Sequence, residues 1–193
     1  MESVSYEHFK ALACTRKRAF HLEQRDAYNV ASEDEPFRRW LRGEPDDYAW
    51  HADWLSLVRQ ATAAGVRVQR VRLASVPHTD YIRWGLDVSP LNINAGEDIR
   101  YLPRHLAAGI DLPDEDYWLL GDDTLILSVF SAYGRTGGLA RPSDPNLLGQ
   151  CMAVRDQVLE RATPYAQYVG QVELRSPELE PHPPGPQPGS LEE

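Results

Sequence analysis

Apolar positions along this chain follow two rhythms, one helical and one alternating, and the switches between them lay out an α/β order. Tyr6, Phe9, Leu12 and Ala13 recur at helical spacing and predict a first helix. Phe20, Leu22 and Gln24 then alternate with His21, Glu23 and Arg25, which predicts a strand with one polar face. A loop is expected over 26–31. Ser32 stands three residues before Glu35, the spacing of a capping box, with Pro36 in the first turn and Phe37, Trp40 and Leu41 as an apolar stripe. That second helix should end at Gly43. After an acidic loop over 44–49, Trp54, Leu57, Val58 and Ala61 predict a third helix that stops at Gly65.

Strand signals resume at once in GVRVQRVRLAS. Val66 and Val68 share one parity, whereas Val71 and Leu73 share the other, so a β-bulge is expected near Gln69 and Arg70. Tyr81, Trp84 and Val88 predict a helix after Pro77, although Gly85 weakens it by about 1 kcal/mol. Ser89-Pro90 reads as an N-cap followed by a first helical residue, which would open a separate short helix ended by Gly96. Ile99 and Tyr101 predict a short strand, and YWLL, GDDT and LILSVF predict two strands joined by a tight turn. Asp144-Pro145 starts a last helix, with Leu147, Leu148, Cys151, Val154, Val158, Leu159 and Ala162 forming its apolar stripe.

These elements predict one α/β domain over 1–172, a mixed sheet flanked by helices. A disordered, acidic, proline-rich tail is expected over 173–193, because SPELEPHPPGPQPGSLEE has too few apolar residues to offset its ordering entropy. Such a length supports a core without disulfides or metal. The cysteines, Cys14 and Cys151, are far apart and lack a C-x-x-C partner, so two reduced thiols are expected. No signal-peptide layout and no membrane-length apolar run occurs, which predicts a cytoplasmic protein without membrane contact. The net charge of −9 disfavours direct nucleic-acid binding, since backbone affinity depends on a basic surface.

Familiar catalytic patterns are missing. The chain contains no G-x-G-x-x-G, Walker A or G-x-S-x-G motif, and its six histidines show no H-x-x-x-H or H-E-x-x-H spacing. No cofactor is implied. His78-Thr79-Asp80 could orient a general base, but helix capping by Thr79 or Asp80 explains it as well. Arg83 and Trp84 form a more suggestive pair, because a guanidinium beside an indole can hold an anionic or aromatic ligand; Trp84 also reads as core. Asp98 and Arg100 form either a binding pair or a local ion pair before a strand. Asp122 and Asp123 are ordinary turn residues that also place carboxylates at an element end.

The blocks Arg16-Lys17-Arg18-Ala19-Phe20, GVRVQRVRLAS, DYIRW, NAGEDIRYLPR and LPDEDYWLLGDD resemble a family of actinobacterial proteins of unknown function, from about Tyr6 to Val169. Members of that family accompany helix-turn-helix regulators in small gene pairs, so the resemblance implies a regulatory, partner-binding role. The helix ending at Gly65, the strand after it and the late hairpin also look like a phospholipase D-like domain, whose signature is H-x-K-x-x-x-x-D. With Asp123 as the terminal aspartate, the histidine position falls on Asp116 and the lysine position on Trp118. The resemblance therefore implies a phospholipase D-like fold without its nucleophile or phosphate-holding lysine.

The expectation is a non-enzymatic module that binds a small ligand, an anionic one among the candidates, or a protein. The protein partner would be a helix-turn-helix regulator or another basic protein. Contacts are expected from Arg83, Trp84, Asp98, Arg100, Asp122 and Asp123. The alternative is a metal-dependent phosphodiesterase or nuclease-type toxin in which Glu97, Asp98, Asp122 and Asp123 converge on a divalent ion.

Overall fold

Alternating and helical apolar segments pair off as strands and covering helices in the computed structural model, which describes residues 1–131 and 134–175. In chain order the elements are β1 (Glu2–Val4), α1 (Tyr6–Ala13), β2 (Arg18–Glu23), α2 (Asp34–Leu41), α3 (Ala52–Ala63), β3 (Arg67–Ala74) and α4 (Asp80–Asn94). They continue with β4 (Asp98–Pro103), β5 (Asp116–Leu120), β6 (Thr124–Phe130), β7 (Thr136–Arg141), α5 (Asn146–Arg161), β8 (Thr163–Pro164) and α6 (Tyr165–Arg175). The fold is α/β with a mixed eight-stranded sheet in the order β1-β7-β6-β5-β2-β3-β4-β8. At its centre β2, β3 and β4 run parallel, and β5, β6 and β7 extend it antiparallel.

Both faces of the sheet are covered. On one side Phe20, Leu22, Val71, Leu73, Tyr117 and Leu119 pack against Cys151, Val154 and Val158 of α5. On the other, Ala19, Val68 and Trp118 meet Phe9 of α1 and Leu57 and Ala61 of α3, while Ile99 and Tyr101 meet Ile82 and Leu86 of α4 and Tyr168 of α6. This double burial removes the expected bulge in β3. Its register is continuous with β2 and with β4, and Val68 and Val71 have opposite parity because each faces a different helical layer.

Two helix boundaries also differ from expectation. Ser32 does not cap α2, whose N-cap is Glu33 with no side-chain cap bond. Ser89-Pro90 does not open a new helix, because α4 runs through Pro90 without interruption. A proline there removes the amide that would bond the Leu86 carbonyl. The Tyr165 hydroxyl donates to that carbonyl at 3.1 Å, and Ser89 Oγ donates to the Gly85 carbonyl at 2.7 Å, so the turn before Pro90 keeps its acceptors satisfied.

Short strands β1, β7 and β8 and helix α6 lie outside the elements expected from the pattern. Helix α6 runs through residues 173–175, past the expected domain limit at 172, and the rest of the expected tail lies outside the described residues. Cys14 and Cys151 are free, and burial pushes the Cys151 thiol up to about 12. No helix among the described residues is long and apolar enough to cross a membrane.

Candidate functional site

Adjacent parallel strands bring four polar side chains together beneath α3 and α4. In register, His21 of β2 stands opposite Arg70 of β3, and Glu23 stands opposite Arg72. Arg70 Nη1 donates to Glu23 Oε1 at 2.5 Å, and Arg72 Nε donates to Glu23 Oε2 at 2.5 Å. The other edge of Arg70 donates through Nε to Glu97 Oε1 at 2.8 Å. Glu97 Oε2 in turn accepts from Asn92 Nδ2 at 2.8 Å, and Asn92 Oδ1 lies 2.6 Å from His51 Nε2. Since a carboxylate only accepts, Asn92 must present its amide nitrogen to Glu97 and its oxygen to His51. That arrangement assigns the hydrogen of His51 to Nε2 and leaves Nδ1 as the basic nitrogen.

Burying charge is costly unless each group is paired and hydrogen-bonded. Burial opposes ionisation of Glu23, yet the guanidiniums of Arg70 and Arg72 outweigh it and hold the carboxyl down to about 2. His21 responds the other way. Burial, aided by both arginines and opposed by Glu23, pushes its imidazole down to about 3, so the ring is neutral near pH 7. It stacks on Trp118 with centroids 4.0 Å apart; Nδ1 lies 3.5 Å from Glu23 Oε1, and neither ring nitrogen makes a hydrogen bond among the described residues.

These groups line a cavity of about 140 Å³. One wall is polar: His21, Glu23, Arg70, Arg72, Asn92 and Ser128. The other is aromatic: Tyr28, Trp50, Tyr81, Trp84 and Phe130. Trp50 and Trp84 stack with centroids 5.4 Å apart, and Tyr81 meets Trp84 edge-on at the same separation. Glu23 ends β2 and Asp116 starts the antiparallel β5, so these two lining carboxyls lie toward the carboxyl ends of the parallel strands, where ligands gather in open α/β sheets.

Two further carboxyls reach it. Tyr28 donates to Asp116 Oδ2 at 2.5 Å while the Gln24 amide donates to Oδ1 at 2.9 Å, but burial dominates and pushes Asp116 up to about 6. Tyr81 donates to Glu33, whose carboxyl is also raised, chiefly by burial. Gly85 is required for the packing of this wall. A Cβ there would overlap Arg72 Nη1 and lie 3.4 Å from Cζ.

Of the residues expected from sequence, Trp84 alone lines the cavity. Arg83 is exposed on α4 and pairs with Asp80 at 3.3 Å. Asp98 and Arg100 pair with each other at 3.0 Å at alternating positions to the inward-facing Ile99 and Tyr101, hence on the opposite face of β4. Asp122 pairs with Arg155 at 2.7 Å and Asp123 with Arg16 at 3.3 Å, in the turn at the far end of the hairpin from Asp116. The convergence of Glu97, Asp98, Asp122 and Asp123 is therefore not formed: Glu97 is committed to Arg70 and the others lie elsewhere. Among the described residues no group of three or more His, Cys, Asp or Glu side chains could hold a metal ion. Thr79 caps α4, accepting from the Ile82 amide at 3.2 Å, while His78 contacts the Ser75 carbonyl and Tyr168.

The combination defines a class: an α/β protein with a mixed sheet and an internal charged cavity beneath its crossover helices. A family model for a domain of unknown function, DUF6879, matches residues 7–170, and the chain belongs to that family. No curated protein and no solved structure matches it.

Proposed function

We propose that this protein is a small-ligand-binding module whose site is the cavity between the Glu23–Arg70–Arg72 wall and the Trp50–Trp84 wall. The observation that supports this reading is the cost of the polar wall. Replacing buried ion pairs by apolar groups is often neutral or stabilising, so a core that needs only stability has no reason to keep them. Here they border open volume, beside a buried histidine whose ring nitrogens make no hydrogen bond among the described residues. The volume is close to the roughly 150 Å³ that accommodates one benzene ring, so the enclosed part of a ligand is about the size of one aromatic ring.

Occupancy of such a site acts by passing a state to a partner, and the helix-turn-helix regulator implied by the resemblance is the partner proposed. A phospholipase D-like ancestry is compatible with this reading, because Asp116, at the position of that family's nucleophilic histidine, lines the cavity.

Non-denaturing mass spectrometry tests the reading. The protein is equilibrated with the small-molecule fraction of an extract from its host, and Ser128→Leu is compared because it fills the cavity with apolar atoms. A discrete adduct on the wild type that is lost in a folded Ser128→Leu supports the proposal. No adduct, or one unchanged by the substitution, contradicts it.

A further inference from the structure

We propose that the ligand of this cavity is a small organic cation carrying several N–H donors, such as an amidine, a guanidine or a primary amine. The inference rests on the ligand-binding reading above and adds the ligand's charge and hydrogen-bonding character. Its basis is charge balance. The two guanidiniums of the wall are matched by two carboxylates, Glu23 on both and Glu97 behind Arg70. Glu33 and Asp116 are then in surplus, held by the hydroxyls of Tyr81 and Tyr28 and by the Gln24 amide rather than by a cation.

The rest of the lining points the same way. His21 is 8 % exposed and neutral, borders the cavity, and among the described residues makes no hydrogen bond through either ring nitrogen, with Nδ1 3.5 Å from Glu23 Oε1 and Nε2 free to meet a ligand. His51 donates through Nε2 to Asn92, which leaves its Nδ1 an acceptor. Trp50, Trp84 and Tyr81 line the cavity, and a cation over an indole or phenol face is attracted by the ring quadrupole. An anion would meet two surplus carboxylates and guanidiniums already engaged by glutamates. A donor-rich cation meets acceptors and aromatic faces.

Benzamidinium, benzamide and benzoate form a test series of nearly equal shape and differing charge. Each is titrated into the full-length protein at neutral pH while the indole ¹H–¹⁵N resonances of Trp50 and Trp84 are followed. The expected result is a dissociation constant for benzamidinium at least about tenfold below that for benzamide, with benzoate weakest. Glu33→Gln and Asp116→Asn, checked for folding by circular dichroism, should each reduce that preference to about threefold or less. Equal or tighter binding of benzamide or benzoate at these indoles would overturn the cationic class and leave the ligand-binding reading standing. If none of the three perturbs either indole, the cationic class falls, and the ligand-binding reading is decided separately by the adduct comparison with Ser128→Leu.

Discussion

Replacing Gly85 with alanine asks directly whether the Arg72–Glu23 pair organises the cavity wall. In an open helix interior the change would stabilise the protein by about 1 kcal/mol, because alanine loses less backbone entropy than glycine on folding. Here the new Cβ would occupy the place of Arg72 Nη1, and the guanidinium, only 12 % exposed, cannot swing aside without loosening its bonds to Glu23. Separating a buried pair costs about 3–5 kcal/mol, and partial separation offset by the alanine gain leaves a net loss of about 2–3 kcal/mol. Urea denaturation followed by far-ultraviolet circular dichroism measures this, provided the m-value is unchanged. In an Arg72→Met background the obstruction is smaller and more pliable, so Gly85→Ala should be near neutral or stabilising there, and the double-mutant cycle should give a coupling of about 2–4 kcal/mol. Stabilisation by Gly85→Ala alone, or an equal loss in both backgrounds, would refute the reasoning.

Other expected outcomes follow from the same contacts. Tyr165→Phe should cost about 1 kcal/mol in the wild type and less in Pro90→Ala, where a new amide can bond the Leu86 carbonyl; equal losses in denaturation would contradict the role given to the hydroxyl. Asp116, raised to about 6 from an ordinary value of 3.8, favours folding below about pH 4 and loses that contribution as pH rises through 6. Since His21, lowered to about 3, runs oppositely over the same range, the readout is the difference between wild type and Asp116→Asn across pH 4–7, and a flat difference would count against the burial argument. Asp123→Ala should change stability by less than about 1 kcal/mol because its pair with Arg16 is largely exposed; a larger loss in thermal unfolding would show a structural role for the turn.

The sequence carried most of the framework and little of the site, for one physical reason. Local signals act over a few residues, so α1, α3, the αβ step at Gly65 and the β5–β6 hairpin were legible from spacing and turn chemistry. Which faces are buried is a tertiary fact. Val68 and Val71 on opposite parities look like a slipped register until helices cover both sides of β3. For the same reason His21 and Glu23 look like the solvent face of an alternating strand, although both are buried. A usable signal was present: H-x-E on one strand and R-x-R on the next, at matching parity and of opposite charge. Recognising it requires knowing that β2 and β3 are parallel neighbours. Trp84 was legible because an aromatic residue on the apolar face of a helix points inward, whereas the Asp122-Asp123 turn drew notice through composition alone and lies apart from the cavity.

The most direct test of the account is a crystal structure of the wild-type protein after exchange against the small-molecule fraction of its host extract. Non-protein density between Arg72 and the Trp50–Trp84 stack, with the Glu23–Arg70–Arg72 bonds intact, is the outcome expected. A cavity closed by its own aromatic side chains, or density bound only at another surface, would contradict the assignment of this wall to ligand recognition.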